Sequence, residues 1–277
     1  MFKRVVLFWV CAALLVLSAV ACNLAPGSKG VRQKQTEKAW KLVWSDEFDG
    51  ANGTAIDGSK WKSETGNNSG WGNAELEYYT DSVNNCYQDN GNLIIKAIKE
   101  KKEGFDYTSA RIVTQENFDF KYGKIEMKAK LPQGNGIWPA FWMLGSNFDT
   151  EGWPKCGEVD IMEHIGKMSQ KIHGTLHATG YSGSYGITGS IKSKSSLYDS
   201  YHTYSLEWNE EGFKWYFDGK KYHEVYKKNI KSGIWPFDSE FFILLNLAVG
   251  GYWPGYPDET TQFPQTYTID YIRVYQQ

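Results

Sequence analysis

The sequence has little of what builds helical, nucleic-acid-binding or disulfide-rich proteins. No segment of ten or more residues shows the period of an amphipathic helix. The formal net charge of the 277 residues is only −2, without a basic field, so we expect no nucleic-acid partner. Of the 4 cysteines, only two follow residue 22, too few for a disulfide framework. The lack of a Cys/His cluster in this region also argues against a zinc site.

The N-terminus has the features of a targeting segment. Its start is basic, residues 5–21 are almost wholly apolar, and the chain then turns polar. Ala19 and Ala21 precede Cys22, a spacing that resembles the bacterial lipoprotein cleavage box, in which the cysteine becomes the lipidated first residue. We therefore expect a lipoprotein signal peptide over residues 1–21 and lipidation at Cys22. Plain secretion is one alternative. An uncleaved anchor is disfavoured because the run is just under the ~20 residues that span a bilayer.

The rest of the chain divides into a tether and one domain. Residues 22–39 contain Pro, Gly, Ser and charged residues without periodicity, which is typical of a flexible linker. Residues 40–277 form the predicted catalytic domain. We expect a monomer that is secreted or displayed at the cell surface, attached to a bacterial membrane only through its lipid. Cys86 and Cys156 could pair in an oxidising compartment or remain two buried thiols.

Apolar side chains in this domain recur with a period of two. Alternation over 123–131 and 204–208 predicts half-buried strands. Asp218-Gly219 between two apolar runs predicts a two-residue hairpin, because glycine accepts the positive φ of a type I′ turn. The nearly continuous apolar run 241–249 predicts a strand covered on both faces. Many strands joined by Gly- and Asn-rich turns indicate an all-β sandwich or barrel.

Three acids lie within six residues, in the segment Gly157-Glu-Val-Asp-Ile-Met-Glu-His164. Glycoside hydrolysis needs two carboxyl groups that flank one bond. On a regular strand Glu158 and Asp160 share a face, whereas Glu163 points among the core aliphatics, where a carboxylate is costly. A β-bulge at Ile161–Met162 would return Glu163 to the acidic face. We therefore predict this bulge, with the outer carboxyl groups at about the 5–5.5 Å separation of retaining enzymes.

Neighbouring carboxylates repel one another, so at least one proton should be retained among the three at neutral pH. Such an arrangement separates an ionised nucleophile from a protonated acid. The alternatives for an isolated acidic pattern of this kind are a solvated edge strand and a cation site.

The segment Glu158-Val-Asp-Ile-Met-Glu163 resembles the active-site signature of glycoside hydrolase family sixteen. The extra residue Met162 resembles the laminarinase branch, the endo-β-1,3-glucanases, rather than the shorter lichenase form. The resemblance spans about Trp40 to Tyr275. Further segments match in the family's order: Trp44–Asp49, Gly70–Tyr79, Gly136–Trp142, Gly250–Gly255 and Ile269–Tyr275.

The resemblance implies a jelly-roll β-sandwich of two antiparallel sheets with a concave substrate cleft. It also implies retention of anomeric configuration, with Glu158 as nucleophile and Glu163 as general acid/base. Asp160, between them, would tune their protonation. His177 lies on the polar face of the next predicted strand, and the resemblance favours an active-site role for it.

Aromatic and polar side chains are expected to line the cleft, because aromatic rings stack on the flat C–H faces of sugars. Trp138, Trp142 and Trp253 lie in Gly- and Pro-rich segments and match the family's cleft. Asn73, Arg111 and Glu75 are candidates for bonding sugar hydroxyls, although Arg111 and Glu75 could equally form a structural ion pair. Three other tryptophans are expected in the core: Trp61, Trp208 and Trp215.

Asp270 on the last strand would share an apolar face with Ile272 and Val274, so it needs a partner. The family often carries a structural Ca²⁺ on the convex side, held by such an aspartate and by backbone carbonyls. The matching positions here are Glu47 and Gly91, through their main chains, and oxygen ligands suit Ca²⁺. The alternative is a salt bridge.

These features together predict a retaining endo-β-1,3-glucanase that hydrolyses β-glucan polysaccharides and oligosaccharides by double displacement. One alternative keeps the mechanism and changes the glycan to mixed-linkage β-1,3-1,4-glucan or, less favoured, a marine galactan. Transglycosylation is also open. A non-catalytic glucan-binding protein is disfavoured because all three acids are present.

Overall fold

Strands dominate residues 39–168 and 170–277, which are the residues that the computed structural model describes. The α-helix of this part of the chain, α1 (Phe148–Glu151), has 4 residues. No helix within the described ranges is long and apolar enough to cross a membrane. The predicted signal peptide, Cys22 and nearly all of the tether lie outside these residues.

The strands are numbered in chain order. They are β1 (Lys41–Asp46), β2 (Lys62–Glu64), β3 (Glu77–Tyr79), β4 (Cys86–Asp89), β5 (Asn92–Ala97), β6 (Tyr107–Ser109), β7 (Arg111–Val113), β8 (Asp119–Phe120), β9 (Gly123–Lys130), β10 (Ile137–Gly145), β11 (Glu158–His164), β12 (Lys171–His177), β13 (Ile187–Lys192), β14 (His202–Asn209), β15 (Gly212–Phe217), β16 (Lys220–Tyr226), β17 (Phe241–Val249) and β18 (Gln265–Gln276). Short 3₁₀ turns lie at Gly183–Tyr185 and Lys227–Asn229.

Two large antiparallel sheets are built from these strands. The first, here the outer sheet, has the order β16-β15-β14-β9-β18-β5-β4, with β1 also paired to β18. The second, here the acid sheet because it contains β11, has the order β13-β12-β11-β10-β17-β7-β2, with β8 also paired to β17. One hydrophobic core is shared between the two sheets. The fold is the predicted all-β jelly-roll sandwich.

The strand predictions are confirmed by burial and register. Buried and half-buried residues alternate along β9, and all 9 residues of β17 are buried. Asp218 and Gly219 join β15 to β16 with φ of 46° and 73°, as a type I′ turn requires. The period of the apolar residues therefore set which side of each strand faces the core.

The core contains the tryptophans that were expected there. Trp61, Trp208 and Trp215 are 1%, 3% and 0% exposed. Cys86 and Cys156 are buried free thiols that belong to two separate hydrophobic clusters, so the alternative in which they pair is wrong. The domain is held by apolar burial between the sheets rather than by a disulfide.

Candidate active site

The acid strand β11 contains the predicted bulge. Against β10, Asp160 pairs with Trp142 while Met162 pairs with Phe141, so Ile161 is an extra residue. The register against β12 shifts at the same place, between Asp160 and Glu163. The aliphatic side chains on either side of the break enter the core, namely Val159, Ile161 and Met162. The bulge thus separates the strand's aliphatic side chains from its three carboxyl groups.

The histidine at the end of β12 faces the acids. His177 pairs with Glu158 across the two strands, and its Nε2 lies 3.8 Å from Glu158 Oε1 and 3.2 Å from Asp160 Oδ2. The Trp138 indole N–H donates to Glu163 Oε1 at 3.2 Å. Ligand atoms of Glu158, Asp160 and His177 lie within 4.8 Å of one another, so this set could also hold a metal ion.

The acids are buried together, and this sets their protonation. Removal from water and then the charge of Asp160 raise the pKa of Glu158 to about 8, although His177 opposes the rise. Burial likewise raises the pKa of Asp160 to about 8. Burial followed by the charge of Asp160 raises the pKa of Glu163 well above its usual range. The site therefore retains protons at neutral pH.

A chain of hydrogen bonds runs along one wall of the site. Trp142 donates its indole N–H to Asn246 Oδ1 at 2.9 Å, and Asn246 donates to the Tyr79 hydroxyl at 3.0 Å. That hydroxyl donates to Glu75 Oε2 at 3.0 Å, and the Asn73 amide donates to Glu75 Oε1 at 3.2 Å. Glu75 therefore orients Asn73 and connects it to Trp142.

Arg111 lies between two tryptophan rings. Its guanidinium is 4.5 Å from the ring centroid of Trp71 and 4.8 Å from that of Trp142. Arg111 Nε donates to the carboxylate of Glu64, which forms its ion pair. The alternative of an Arg111–Glu75 ion pair is therefore wrong. A cation held between two rings keeps both rings in one orientation.

The loop that carries Trp71 has an unusual backbone. Non-glycine residues in it adopt the left-handed region, among them Ser69, Trp71 and Ala74 with φ of 57°, 51° and 59°. Asn67 stabilises the loop because its amide donates to the carbonyls of Glu75 and Glu77, at 3.0 and 2.8 Å, while its Oδ1 accepts from the loop backbone. Such conformations cost free energy and persist where surrounding contacts over-determine them.

A second aromatic group lies beside Glu163. Trp253, 38% exposed, packs edge-to-face against Trp138 with ring centroids 5.5 Å apart, and against His173 at 5.1 Å. His173 is the cross-strand partner of Glu163. Trp138 and Trp142, in a Gly- and Pro-rich segment, lie in the strand β10.

The expectation for Asp270 needs correction. The register of β18 against β9 shifts between Ile269 and Tyr271, so Asp270 occupies a bulge and does not share the strand's apolar face. Its side chain is 33% exposed and lies 2.6 Å from Lys128 Nζ, the ion pair that was the alternative. Asp270 lies in β18 of the outer sheet, Glu47 follows β1 and Gly91 lies between β4 and β5, so none of the three is brought to the acids.

Several residues at the site were not identified from the sequence. Asn246 carried a signal, because it is the lone amide in the apolar run of β17. His173 carried one too, because it shares the period-two face of His177. Glu64 carried none, since only the pairing of β2 with β7 brings it to Arg111. Trp153 is 47% exposed and faces the His177 ring at 6.4 Å from a loop without any periodic pattern.

Comparison with known proteins identifies the family. Residues 51–273 match the model described as glycosyl hydrolases family 16. The chain belongs to glycosyl hydrolase family 16. The resemblance noted in the acid strand is thereby confirmed, and the three acids of β11 lie in a glycoside hydrolase fold.

Three similar proteins illustrate the relationship. The laminarinase catalytic domain from Thermotoga maritima is 50% identical, with a TM-score of 0.82, and the match covers 87% of this chain and 99% of that one. The beta-glucanase of Rhodothermus marinus is 38% identical over 271 residues, 93% of each chain. The clotting factor G alpha subunit of Tachypleus tridentatus is 41% identical over 241 residues, 87% of this chain, which spans only 34% of that protein.

The raised pKa of Asp160 predicts a pH-dependent stability. An unfolded aspartate titrates near pH ~4, and the folded one near about 8. Between these values the folded state binds more protons than the unfolded chain, so the free energy of unfolding falls as pH rises. Asp160→Asn removes one such group. The free energy of unfolding of this variant, relative to that of wild type, should rise by on the order of 1–3 kcal/mol from pH 4 to pH 8.

Urea unfolding at the two pH values measures this difference. The control is Asp258→Asn, at an exposed acid whose pKa is lowered by hydrogen bonds from Thr260 and Asn135. It should show no such gain. A free-energy difference between Asp160→Asn and wild type that does not change with pH would contradict the prediction.

Proposed function

We propose that this chain is a retaining endo-β-1,3-glucanase that hydrolyses β-glucan by double displacement. The observation that supports it is the bulged acid strand, with Glu158, Asp160 and Glu163 on one side of β11, in a member of glycosyl hydrolase family 16. The named activities of the similar laminarinase and beta-glucanase support the choice of glycan.

The family's active-site signature assigns the roles of the acids. Burial and the charge of Asp160 raise the pKa of Glu163 well above its usual range, so it keeps its proton and can donate it to the departing glycosidic oxygen. The charge of His177 opposes the rise in the pKa of Glu158, and Glu158 in its ionised form attacks the anomeric carbon. Water then resolves the glycosyl-enzyme with Glu163 as base. Asp160 tunes both neighbours through its own charge.

The walls of the site supply contacts for glucose units. Trp142 and Trp71, held apart by Arg111, offer ring faces on one side of the acids, and Trp138 with Trp253 offers them on the other. Such rings stack on the C–H faces of sugars. Asn73, oriented by Glu75, bonds a hydroxyl at the first wall.

We also propose that the protein acts as a monomer outside the cytoplasm. The apolar leader and the cysteine that follows it, Cys22, support a lipid anchor on a bacterial membrane, from which the tether would extend the domain toward polymeric substrate. Membrane contact would then be made by the lipid alone.

The substrate preference is predicted as laminarin over lichenan, with no activity on agarose. The expectation rests on the similarity of the chain to proteins named as laminarinases or endo-1,3-β-glucanases. Reducing-sugar release and product sizing on the three polymers side by side measure it. Internal cleavage should yield a ladder of oligosaccharides. Activity confined to agarose, or equal rates on lichenan and laminarin, would overturn the assignment of the glycan.

Replacing the nucleophile should separate binding from cleavage. Glu158→Ser should lower kcat by on the order of 10³-fold or more, while laminarin oligosaccharides still bind in calorimetric titration. Glu151→Ser, at an exposed acid in α1, is the matched control and should keep wild-type rates. Wild-type sugar release by Glu158→Ser would exclude Glu158 as nucleophile.

Azide distinguishes the two carboxyl roles. With an aryl β-laminaribioside, azide replaces the missing nucleophile in Glu158→Ala and should give the α-glycosyl azide. In Glu163→Ala the glycosyl-enzyme still forms, so azide should give the β-glycosyl azide. Nuclear magnetic resonance of the anomeric proton identifies each product. The reverse pattern would mean that the two roles are exchanged.

We further propose a structural Ca²⁺ on the outer sheet. Strand registers place Asp46 opposite Ile272 and Leu93 opposite Ile269, so Glu47 and Gly91 both approach the bulge at Asp270. Two backbone carbonyls and a carboxylate are oxygen donors of the kind that Ca²⁺ prefers. Lys128 competes for the carboxylate, so a bound ion would have to displace this ammonium group.

Calcium addition should therefore raise Tm of the wild-type protein relative to chelator-treated protein. Asp270→Asn should abolish the increase, and Lys128→Met should enlarge it because the competing cation is removed. Asp258→Asn serves as the control acid and should leave the response unchanged. If Ca²⁺ moves Tm in neither wild type nor Lys128→Met, Asp270 serves only in its ion pair.

A further inference from the structure

The two sheets interlock beneath the acids. Gly174 on β12 and Gly189 on β13 are direct cross-strand partners in the acid sheet. Opposite them, Trp215 on β15 and His223 on β16 are cross-strand partners in the outer sheet, with ring centroids 4.7 Å apart. A Cβ at Gly174 would lie 2.4 Å from Trp215 Cδ1, and one at Gly189 would lie 2.2 Å from His223 Cγ. The paired glycines therefore leave a gap that the two rings fill.

The gap lets Trp215 reach the bulge from behind. Its indole N–H donates to the carbonyl oxygen of Asp160 at 2.8 Å, a buried bond between the two sheets. The ladder on both sides of β11 changes register immediately after Asp160. A register break leaves backbone groups without ladder partners, so a donor from outside the sheet stabilises the irregular conformation.

We propose that Trp215 is a positioning residue that holds the bulge of β11, and through it the spacing of Glu158 and Glu163. The inference rests on the proposed hydrolytic function of these acids. Trp215 touches no substrate, since it is fully buried between the sheets. It acts through the Asp160 carbonyl, at the point where the strand departs from regular pleating.

Loss of this bond changes the chemistry in a specific way. If the bulge relaxes, Glu163 moves away from Asp160 and toward water. Both changes lower the pKa of Glu163, the general acid. The basic limb of the rate profile then moves to lower pH. The titratable groups that face Glu163 are Asp160 and Glu158 on β11, His173 and His177 on β12, and Tyr222 on β16.

The test compares two matched tryptophans in the outer sheet. Trp215→Phe removes the indole donor at the bulge. Trp208→Phe removes an equally buried indole donor whose bond, 3.1 Å to the Phe237 carbonyl, lies away from the acids. On laminarin, kcat of Trp215→Phe should fall on the order of 10–100-fold, with KM within about threefold and the basic limb lowered by about half to one pH unit. Trp208→Phe should have a lower Tm than wild type, with kcat within about threefold of the wild-type value and an unchanged pH profile.

A second pair of variants covers a failure of Trp215→Phe to fold. Gly174→Ala displaces the indole and should reproduce the fall in kcat and the shifted limb. Gly189→Ala displaces His223, which makes no bond to β11, so this variant should keep the wild-type kcat and pH profile. If the two variants of each pair have equal kcat values and pH profiles while the wild type is active, the role of Trp215 is overturned and the proposed function stands. A wild type inactive on laminarin, lichenan and agarose would overturn the proposed function and the inference with it.

Discussion

Three carboxyl groups withdrawn from water on a single strand are the constraint around which the domain is arranged. Burial raises the pKa values of Glu158, Asp160 and Glu163, and the charge of Asp160 raises those of Glu158 and Glu163 further. The fold tolerates this because the extra residue in β11 keeps the carboxyl groups out of the aliphatic core, with His177 and the Trp138 indole beside them. Burying these carboxyl groups therefore lowers the stability of the fold, and it gives them the protonation states that the proposed chemistry requires.

The acids belong to one sheet, yet their geometry depends on the other. Gly174 and Gly189 remove side chains where Trp215 and His223 approach, and a single indole N–H crosses the core to the Asp160 carbonyl. A sandwich of this kind does more than exclude water from its interior. Because the interface is close-packed, a displacement in the outer sheet is transmitted to the strand that carries the acids.

Local patterns predicted what depends on local geometry. The period of two predicted β9 and β17, and the odd spacing of Asp160 and Glu163 predicted the bulge. The same reasoning failed at Asp270, because the bulge in β18 carries no such signature: the residues around it are individually compatible with a regular strand. The family resemblance supplied the catalytic assignments, which periodicity alone does not carry.

Contacts between distant strands were beyond sequence patterns. Nothing near Glu64 indicates that it pairs with Arg111, because that contact exists only once β2 lies beside β7. Trp215 was correctly assigned to the core, but its bond to the Asp160 carbonyl depends on a glycine gap in the facing sheet. Side-chain type predicts burial, whereas the partner of a buried polar atom is decided by tertiary packing.

The loop around Trp71 has a consequence for how a sugar chain is received. Its left-handed residues are fixed by Asn67 and its ring by Arg111 before any ligand arrives. The entropy of ordering this wall was therefore lost when the protein folded, not when it binds. A glucan chain therefore meets a wall that is already ordered. Less of the binding free energy is spent on ordering a loop, and more of it remains for contacts with the sugar rings.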